Sequence, residues 1–411
     1  MRSIIKIAIR NLIRYKRRTI LTMSLITIGV VFVVLYIAVS GSFKSLIIGQ
    51  ITDSMLGHAQ IHKKGYVASI DNLPLNLSMN MTEFNTIEDI LKKQNTVEAY
   101  SARVKFGGMF SNFTETTNIR LNGVNPEKEF KTTPLLPKRI TKGNASLNRG
   151  EILVPELLAQ GMKIKPGSVI VIVATNRDGS VNGMQFTVSG ILSSVVGTGG
   201  RDGYVNFEDA IELLRMEKPE VSEIAIRLKD FSNLADFEKV MKKTIMGLAG
   251  GGKPVYEAHT WEGLSPFANI ANMVDVMTFF IRIMLIAIVL ISIMNVMTMA
   301  VYERIREIGT ISAIGTKPGK ILAMYLTEGF FLGVAGSIAG VVLGFIIIAI
   351  INAVGVTFNF GRQEGLVINA SLGTIQSIVI IVTVLVVSIA GGFYPAYKAS
   401  RMEPVQALRH V

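Results

Sequence analysis

The residues of this chain best spaced for chemistry lie in one short polar stretch, 302–320 (YERIREIGTISAIGTKPGK). Glu303, Arg304, Arg306 and Glu307 place four charges of both signs within five positions. Such a cluster suits charge-assisted hydrogen bonds to another protein surface, not bond making. Ile305, Ile308, Ile311 and Ile314 recur every three residues on the other half of a helical circumference. Gly309 and Gly315 interrupt the pattern, Lys317 follows, and Pro318 cannot continue the helix. The spacing predicts a short helix and a tight turn. Taken alone, the stretch reads equally well as an interfacial turn.

Catalytic and metal chemistry find less support. Gly315–Lys320 (GTKPGK) lacks the spacing and the Ser/Thr of a phosphate loop, and 249–254 (AGGGKP) lacks the Lys-Ser or Lys-Thr that opens its helix. There is no G-x-S-x-G. Of the four histidines, His58, His62, His259 and His410, the first two stand four apart and could share a helical face or one side of a strand. They read as ordinary core or surface histidines, so no metal site is expected. With no cysteine, the fold needs neither a disulfide nor a thiolate site. The chain is not expected to be an enzyme by itself.

The elements that must position the polar stretch are apolar. Residues 19–43, 283–302, 329–361 and 366–397 carry no charge, and each run reaches the roughly 20 residues that a helix needs to cross a bilayer. About 240 residues separate the first two runs, whereas the other gaps are short. The net charge of +12 would suit nucleic acid, but its distribution does not. Residues 1–18 hold seven basic residues and no acid, 44–275 are nearly neutral with 26 basic and 25 acidic residues, and 303–320 add +2. The excess flanks membrane ends, which predicts both termini and 302–320 inside and the large domain outside. The small-residue stretch at 38–40 is read as part of an uncleaved anchor, because its apolar run is too long for a signal peptide.

The expected organisation is an amphipathic helix at 1–18 and a first span at 19–43. An outside domain at 44–270 follows, then spans at 271–301, 321–352 and 374–395, with 302–320 between the first two of these. A short outside loop covers 353–373, and a cytoplasmic tail 396–411. The fold class is therefore an α-helical membrane protein with four transmembrane helices and a mixed α/β extracytoplasmic domain. In that domain β-rich runs fall at 59–62, 97–105, 118–124, 151–155, 168–174, 185–192 and 223–228, and helical ones at 87–94, 208–216 and 234–246. The flanks alternate strand and helix like a split ferredoxin-like porter module, and about 131–205 reads as a β-rich insert.

Within the spans, Gly329 and Gly333, then Gly336, Gly340 and Gly344, recur every four residues, the pattern of close helix packing. Packing inside one subunit is the simpler reading, and a subunit seam the other. The second span is rich in methionine. Met277, Met284 and Asn295 offer a substrate path for acyl chains, against ordinary packing.

The run 303–343 (ERIREIGTISAIGTKPGKILAMYLTEGFFLGVAGSIAGVVL) resembles the FtsX/MacB-like superfamily of ABC-transporter permeases. Glu303, Arg304, Arg306, Glu307, Ile308, Gly309 and Gly315 fall on that family's motif, Thr316 departs mildly from it, and Glu328 matches an acidic residue near the third span's start. The tail 394–408 (YPAYKASRMEPVQAL) resembles the family's ending. Weaker likeness at 57–66 and 190–210 points to the LolC/LolE-like lipoprotein-releasing permeases. The resemblance implies that 302–320, with Lys317, is a coupling helix seated on a cytoplasmic ABC ATPase dimer. ATP and Mg would then be bound by that partner, and this chain would carry no cofactor. It further implies a second permease subunit as homo- or heterodimer, contact with membrane lipid, a periplasmic acceptor, and a place in a bacterial inner membrane. The cargo it implies is a lipoprotein; alternatives are a macrolide, peptide or other amphipathic molecule, or FtsX-like signalling to a cell-wall hydrolase.

Overall fold

The computed structural model describes residues 2–193, 202–248, 255–265, 267–360 and 363–403. The Gly-rich stretch 249–254, part of 190–210, and the tail motif beyond Glu403 with His410 lie outside the described residues. The chain divides into a helical unit (Met1–Lys44, Asn272–Thr357, Val367–Val411) and an α/β unit (Ser45–Ala271, Phe358–Leu366).

In chain order, α1 (Arg2–Arg14) and α2 (Lys16–Ile51) precede β1 (Ala59–Lys63), β2 (Met79–Asn80), α3 (Met81–Lys92), β3 (Val97–Ser111), β4 (Thr116–Val124) and α4 (Pro126–Thr132). Then come β5 (Ile140–Gly143), β6 (Glu151–Pro155), α5 (Glu156–Gly161), β7 (Val169–Thr175), β8 (Val181–Leu192), β9 (Asp202–Asn206) and α6 (Phe207–Leu213). The chain continues through β10 (Glu220–Val221), β11 (Glu223–Leu228), α7 (Leu234–Met246), β12 (Tyr256–Thr260) and α8 (Trp261–Leu264). It ends with α9 (Ala268–Glu303), α10 (Ile305–Ala313), α11 (Pro318–Val354), β13 (Thr357–Phe360), β14 (Gln363–Val367) and α12 (Thr374–Ser400).

In the α/β unit, β12, β1, β11 and β3 lie side by side, all antiparallel. Helix α3 opens with a capping box. The Asn80 side chain accepts from the Glu83 N–H at 2.9 Å, and the Glu83 carboxylate accepts from the Asn80 N–H at 2.8 Å. Apolar residues at helical spacing (Phe84, Ile87 and Leu91 on α3, Phe237 and Met241 on α7) are buried with the sheet residues Ile61, Ile224 and Ile226 in one core.

Strand β3 is 15 residues long and pairs with three strands of one ten-stranded sheet. Its first half pairs with β11, and on the same edge residues 108–111 pair with β7. The pairings β3–β4, β4–β9, β9–β6, β6–β8 and β8–β7 then return to β3, closing six strands into a ring. Phe106, Phe110, Leu121, Ile152, Ile172, Phe186 and Val205 form its core. Gly108 is required where β7 approaches, because a Cβ there would lie 2.9 Å from the Val173 carbonyl oxygen.

At the fork in β3 the interior is ionic. Arg103 donates to Glu129 at 2.7 Å and to Glu223 at 2.9 Å, and Lys105 lies 3.1 Å from Glu223. His62 Nε2 is 3.5 Å from the same carboxylate, and its ring stacks on Tyr66. Burial opposes the charge on Glu223, but Lys105, His62 and Arg103 outweigh it and hold its pKa well below the usual carboxylate range.

Among the described residues, four helices are long and apolar enough to cross a membrane: Lys16–Leu56, Ala268–Glu303, Pro318–Val354 and Thr374–Ser400. The glycines of α11 set the packing. Cβ atoms at Gly336, Gly340 and Gly344 would lie 2.7, 2.6 and 2.5 Å from Ile26, Val30 and Val34 of α2. Gly333 meets Ser388 of α12 in the same way, at 2.5 Å, and Gly329 faces the Ser388 carbonyl oxygen at 3.3 Å. One helix thus uses two glycine sets against two neighbours, and Thr27 adds a hydrogen bond to the Gly336 carbonyl.

Candidate functional site: the polar joint of the helical unit

Helix α9 stops at Glu303 because Arg304 leaves helical geometry, at φ −115° and ψ 20°. The nine-residue α10 follows. Gly315 then turns the chain at φ +93°, a left-handed conformation that suits glycine, and Pro318 starts α11.

Arg304 is 2% exposed, and Glu328, on α11, 1%. The Arg304 Nη1 donates to Glu328 Oε1 at 3.1 Å, and Asn11 Nδ2 of α1 donates to the same oxygen at 2.6 Å. The Arg304 guanidinium also lies over the Tyr15 ring, 4.5 Å from its centre. Burial works against its charge, but Glu328 outweighs that and raises its pKa above the ordinary value. Glu328 Oε2 and the buried Tyr325 hydroxyl make no hydrogen bond among the described residues. Two helices, α1 and α11, and the break between α9 and α10 therefore meet on one carboxylate.

Arg304 consequently does not stand with Glu303, Arg306 and Glu307 on an outer face, as the charge run predicts. The break in the helix turns it inward. Ile308 and Gly309 are also buried, whereas Ile311 and Ile314 are exposed. The outer strip of the segment is Glu303, Arg306, Glu307, Gly315 and Lys317. Two of these acids have basic neighbours on the N-terminal helices: Arg18 donates to Glu303 at 3.0 Å, and Arg14 lies 3.8 Å from Glu307. Such exposed pairs contribute little to stability, about 0–1 kcal/mol. Asn11, Tyr15 and Tyr325 were not singled out from the sequence. The signal for the first two is a polar-aromatic i, i+4 pair beside Ala8 and Leu12 on α1.

The residues expected to offer a substrate path stand apart from this joint. Met277, Met284 and Asn295 are exposed on α9, a face that also presents Phe280, Ile291 and Met299. Asp275 pairs with Lys44 at 2.6 Å. The histidines His58 and His62 are buried in the α/β unit, where His58 Nδ1 accepts from the Leu228 N–H at 3.1 Å.

Two protein-family models match this chain: a MacB-like periplasmic core domain over residues 19–244 and an FtsX-like permease C-terminal domain over residues 279–404. The chain is 29% identical over 237 residues to the macrolide export ATP-binding/permease protein MacB of Nitrobacter winogradskyi, covering 56% of this chain and 34% of that one. It thus spans about a third of that relative's length. It is 23% identical over 411 residues to the lipoprotein-releasing system transmembrane protein LolC of Neisseria meningitidis, covering 95% of this chain and 94% of that one. Among solved structures it is similar to the periplasmic region of MacB from Actinobacillus actinomycetemcomitans, with 13% identity, a TM-score of 0.37, and coverage of 54% of this chain and 94% of that one.

Proposed function

The chain belongs to the ABC-transporter permeases that carry a MacB-like periplasmic core domain, and from that premise we propose that it transmits ATP-driven motion from a separate cytoplasmic ATPase to its outer domain. The observation that carries this reading is the joint at Glu328. The segment from Glu303 to Lys317, with the short α10 within it, presents Glu303, Arg306, Glu307 and Lys317 outward, while Arg304 ties the start of α10 to Glu328 of α11, which Asn11 of α1 also meets. A push on the outer strip therefore enters three helices at once. A buried polar network with unmatched groups is held less firmly than an apolar core, which suits a joint that shifts between arrangements.

The proposed setting is a bacterial inner membrane. The ATPase there is a dimer that binds ATP and Mg, and a second permease subunit completes the complex. The α/β unit works in the periplasm. In the four-strand sheet the order, counted within the module, is fourth, first, third, second, with α3 and α7 as the crossing helices. That order supports the ferredoxin-like reading, with the β-rich stretch of about 131–205 as the insert, whose strands close the ring with β3 and β4.

The proposed cargo is a lipoprotein, drawn out of the membrane and passed to a periplasmic acceptor. The match to LolC over nearly the full length of both chains favours it. Export of an amphipathic small molecule is the second reading, favoured by the higher identity to MacB over 237 residues. Affinity purification of the complex from cells fed a clickable palmitate analogue separates the two. Acylated proteins that leave on ATP addition support lipoprotein cargo. A complex free of acylated protein, with hydrolysis stimulated by amphipathic small molecules, sinks that cargo and leaves the permease reading in place.

A further inference from the structure

An open groove of about 380 Å³ runs along the helical unit, walled by Ile13 of α1, Ile20 and Met23 of α2, and Phe331 and Ala335 of α11, with Lys16 the one charged residue in its lining. That is roughly a dozen times the volume a water occupies in the liquid, about 30 Å³, yet the wall gives water almost nothing to bind. The hydroxyl of Thr19, which also lines the groove, is already donated to the Leu12 carbonyl at 2.8 Å. Ile13 and Ile20 are 60% and 63% exposed along it. The charge beside it is equally one-sided. Residues 1–18 hold seven basic residues and no acid. Arg14 and Arg18 face Glu307 and Glu303, whereas no ion pair engages Lys16 among the described residues. An apolar channel whose lining carries one cation without an ion-pair partner among the described residues matches a molecule with an apolar chain and an anionic head. A cytoplasmic leaflet supplies such molecules in abundance, and basic pockets between spanning helices take their head groups.

We propose that this groove holds one acyl chain of an anionic phospholipid, its phosphate paired with Lys16. The site would seat α1 against α2 and α11 at the membrane surface, beside the joint at Glu328. It rests on the inside placement of the N-terminus and on no assumption about cargo.

Native mass spectrometry of the full chain in neutral detergent tests it, using palmitoyl-oleoyl phosphatidylglycerol and the phosphatidylcholine with the same chains. The wild type should retain phosphatidylglycerol over phosphatidylcholine by about fivefold, as one cation near an anionic head group gives. Lys16→Gln should remove the preference. Ile20→Trp, which narrows the groove at an exposed position, should lower retention of both lipids while the melting temperature stays that of wild type. Equal retention of the two lipids by the wild type overturns the proposal, as do two variants that both bind like wild type. Displacement of the phosphatidylglycerol by an uncharged palmitoylated peptide would assign the groove to cargo and overturn it as well.

Discussion

Arg304 and Glu328 form a buried ion pair, 3.1 Å between Nη1 and Oε1, at the point where α9 gives way to α10. Sequence places Arg304 in a run of surface charges, and the fold turns it inward. The pair therefore belongs to the internal joint of the permease, and the charges around it to its outer strip.

Glu328→Gln should be severely destabilising, because it leaves the Arg304 guanidinium buried without a counter-charge. Losing one partner of such a pair costs about 3–5 kcal/mol. The double variant Arg304→Met/Glu328→Met should recover much of that loss, since it removes both desolvation penalties. Thermal unfolding of the detergent-purified chain, with the yield of monodisperse protein, reads both. A Glu328→Gln chain that melts with the wild type would show that the pair holds nothing together.

Gly340→Leu should disrupt the spans far more than Val342→Leu. A Cβ at Gly340 already lies 2.6 Å from Val30 and 3.0 Å from the Thr27 carbonyl oxygen, whereas Val342 is 52% exposed. Overpacking of this kind costs about 1–3 kcal/mol. Melting temperatures of the two variants decide the matter, and equal values would deny that α2 and α11 meet at these glycines.

The α/β unit should weaken as pH falls. Burial pushes His62 below its ordinary value of 6.5, with Glu223 pulling the other way and Lys105 and His259 adding to the fall. As pH drops through 6.5 the unfolded chain takes up this proton before the folded one does, so stability declines until the folded pKa is passed. Glu223 works in the same direction lower down: its stabilisation is present above 4.5 and is lost as pH falls further, through its depressed folded pKa. The lone tryptophan, Trp261, is buried in this unit and reports its unfolding. Between about pH 7.5 and 5.5 the unfolding free energy should fall, by no more than about 1.4 kcal/mol per pH unit for one proton, and His62→Asn should flatten that slope. A slope unaltered in His62→Asn would remove His62 from the effect.

Local patterns made much of this fold legible. The β-rich runs at 151–155 and 223–228 and the helical spacing at 234–246 appear as β6, β11 and α7. The closed ring did not show, because its decisive feature is non-local. One edge of β3 changes partner from β11 to β7 near Gly107 and Gly108, and no residue in β3 declares which strand it will meet. The glycine ladder announced close packing but not its partners. Only the fold assigns Gly336, Gly340 and Gly344 to α2, and Gly329 and Gly333 to α12. Arg304 was hidden for the same reason. Its companions Asn11, Tyr15 and Glu328 lie on α1, at the α1–α2 turn and on α11, so its neighbours in sequence gave the wrong surroundings.

The central claim is that the outer strip of 302–320 takes force from an ATPase, and Glu307 tests it most directly. Glu307 is exposed and lies 3.8 Å from Arg14, a pair too weak to hold the fold. Reversing it to Arg would place like charges against a basic group of the partner, where a charge-assisted hydrogen bond contributes about 1.5–3 kcal/mol. The decisive measurement is cargo-stimulated ATP hydrolysis by the reconstituted complex, taken with complex yield, for Glu307→Arg and for Arg14→Glu/Glu307→Arg. The double variant restores the internal pair with its signs exchanged but leaves the outward charge reversed. Stimulated hydrolysis should fall at least tenfold in both variants, about 1.4 kcal/mol of lost coupling, while the chain stays folded. Wild-type assembly and hydrolysis in Glu307→Arg, or full recovery in the double variant, would contradict the account.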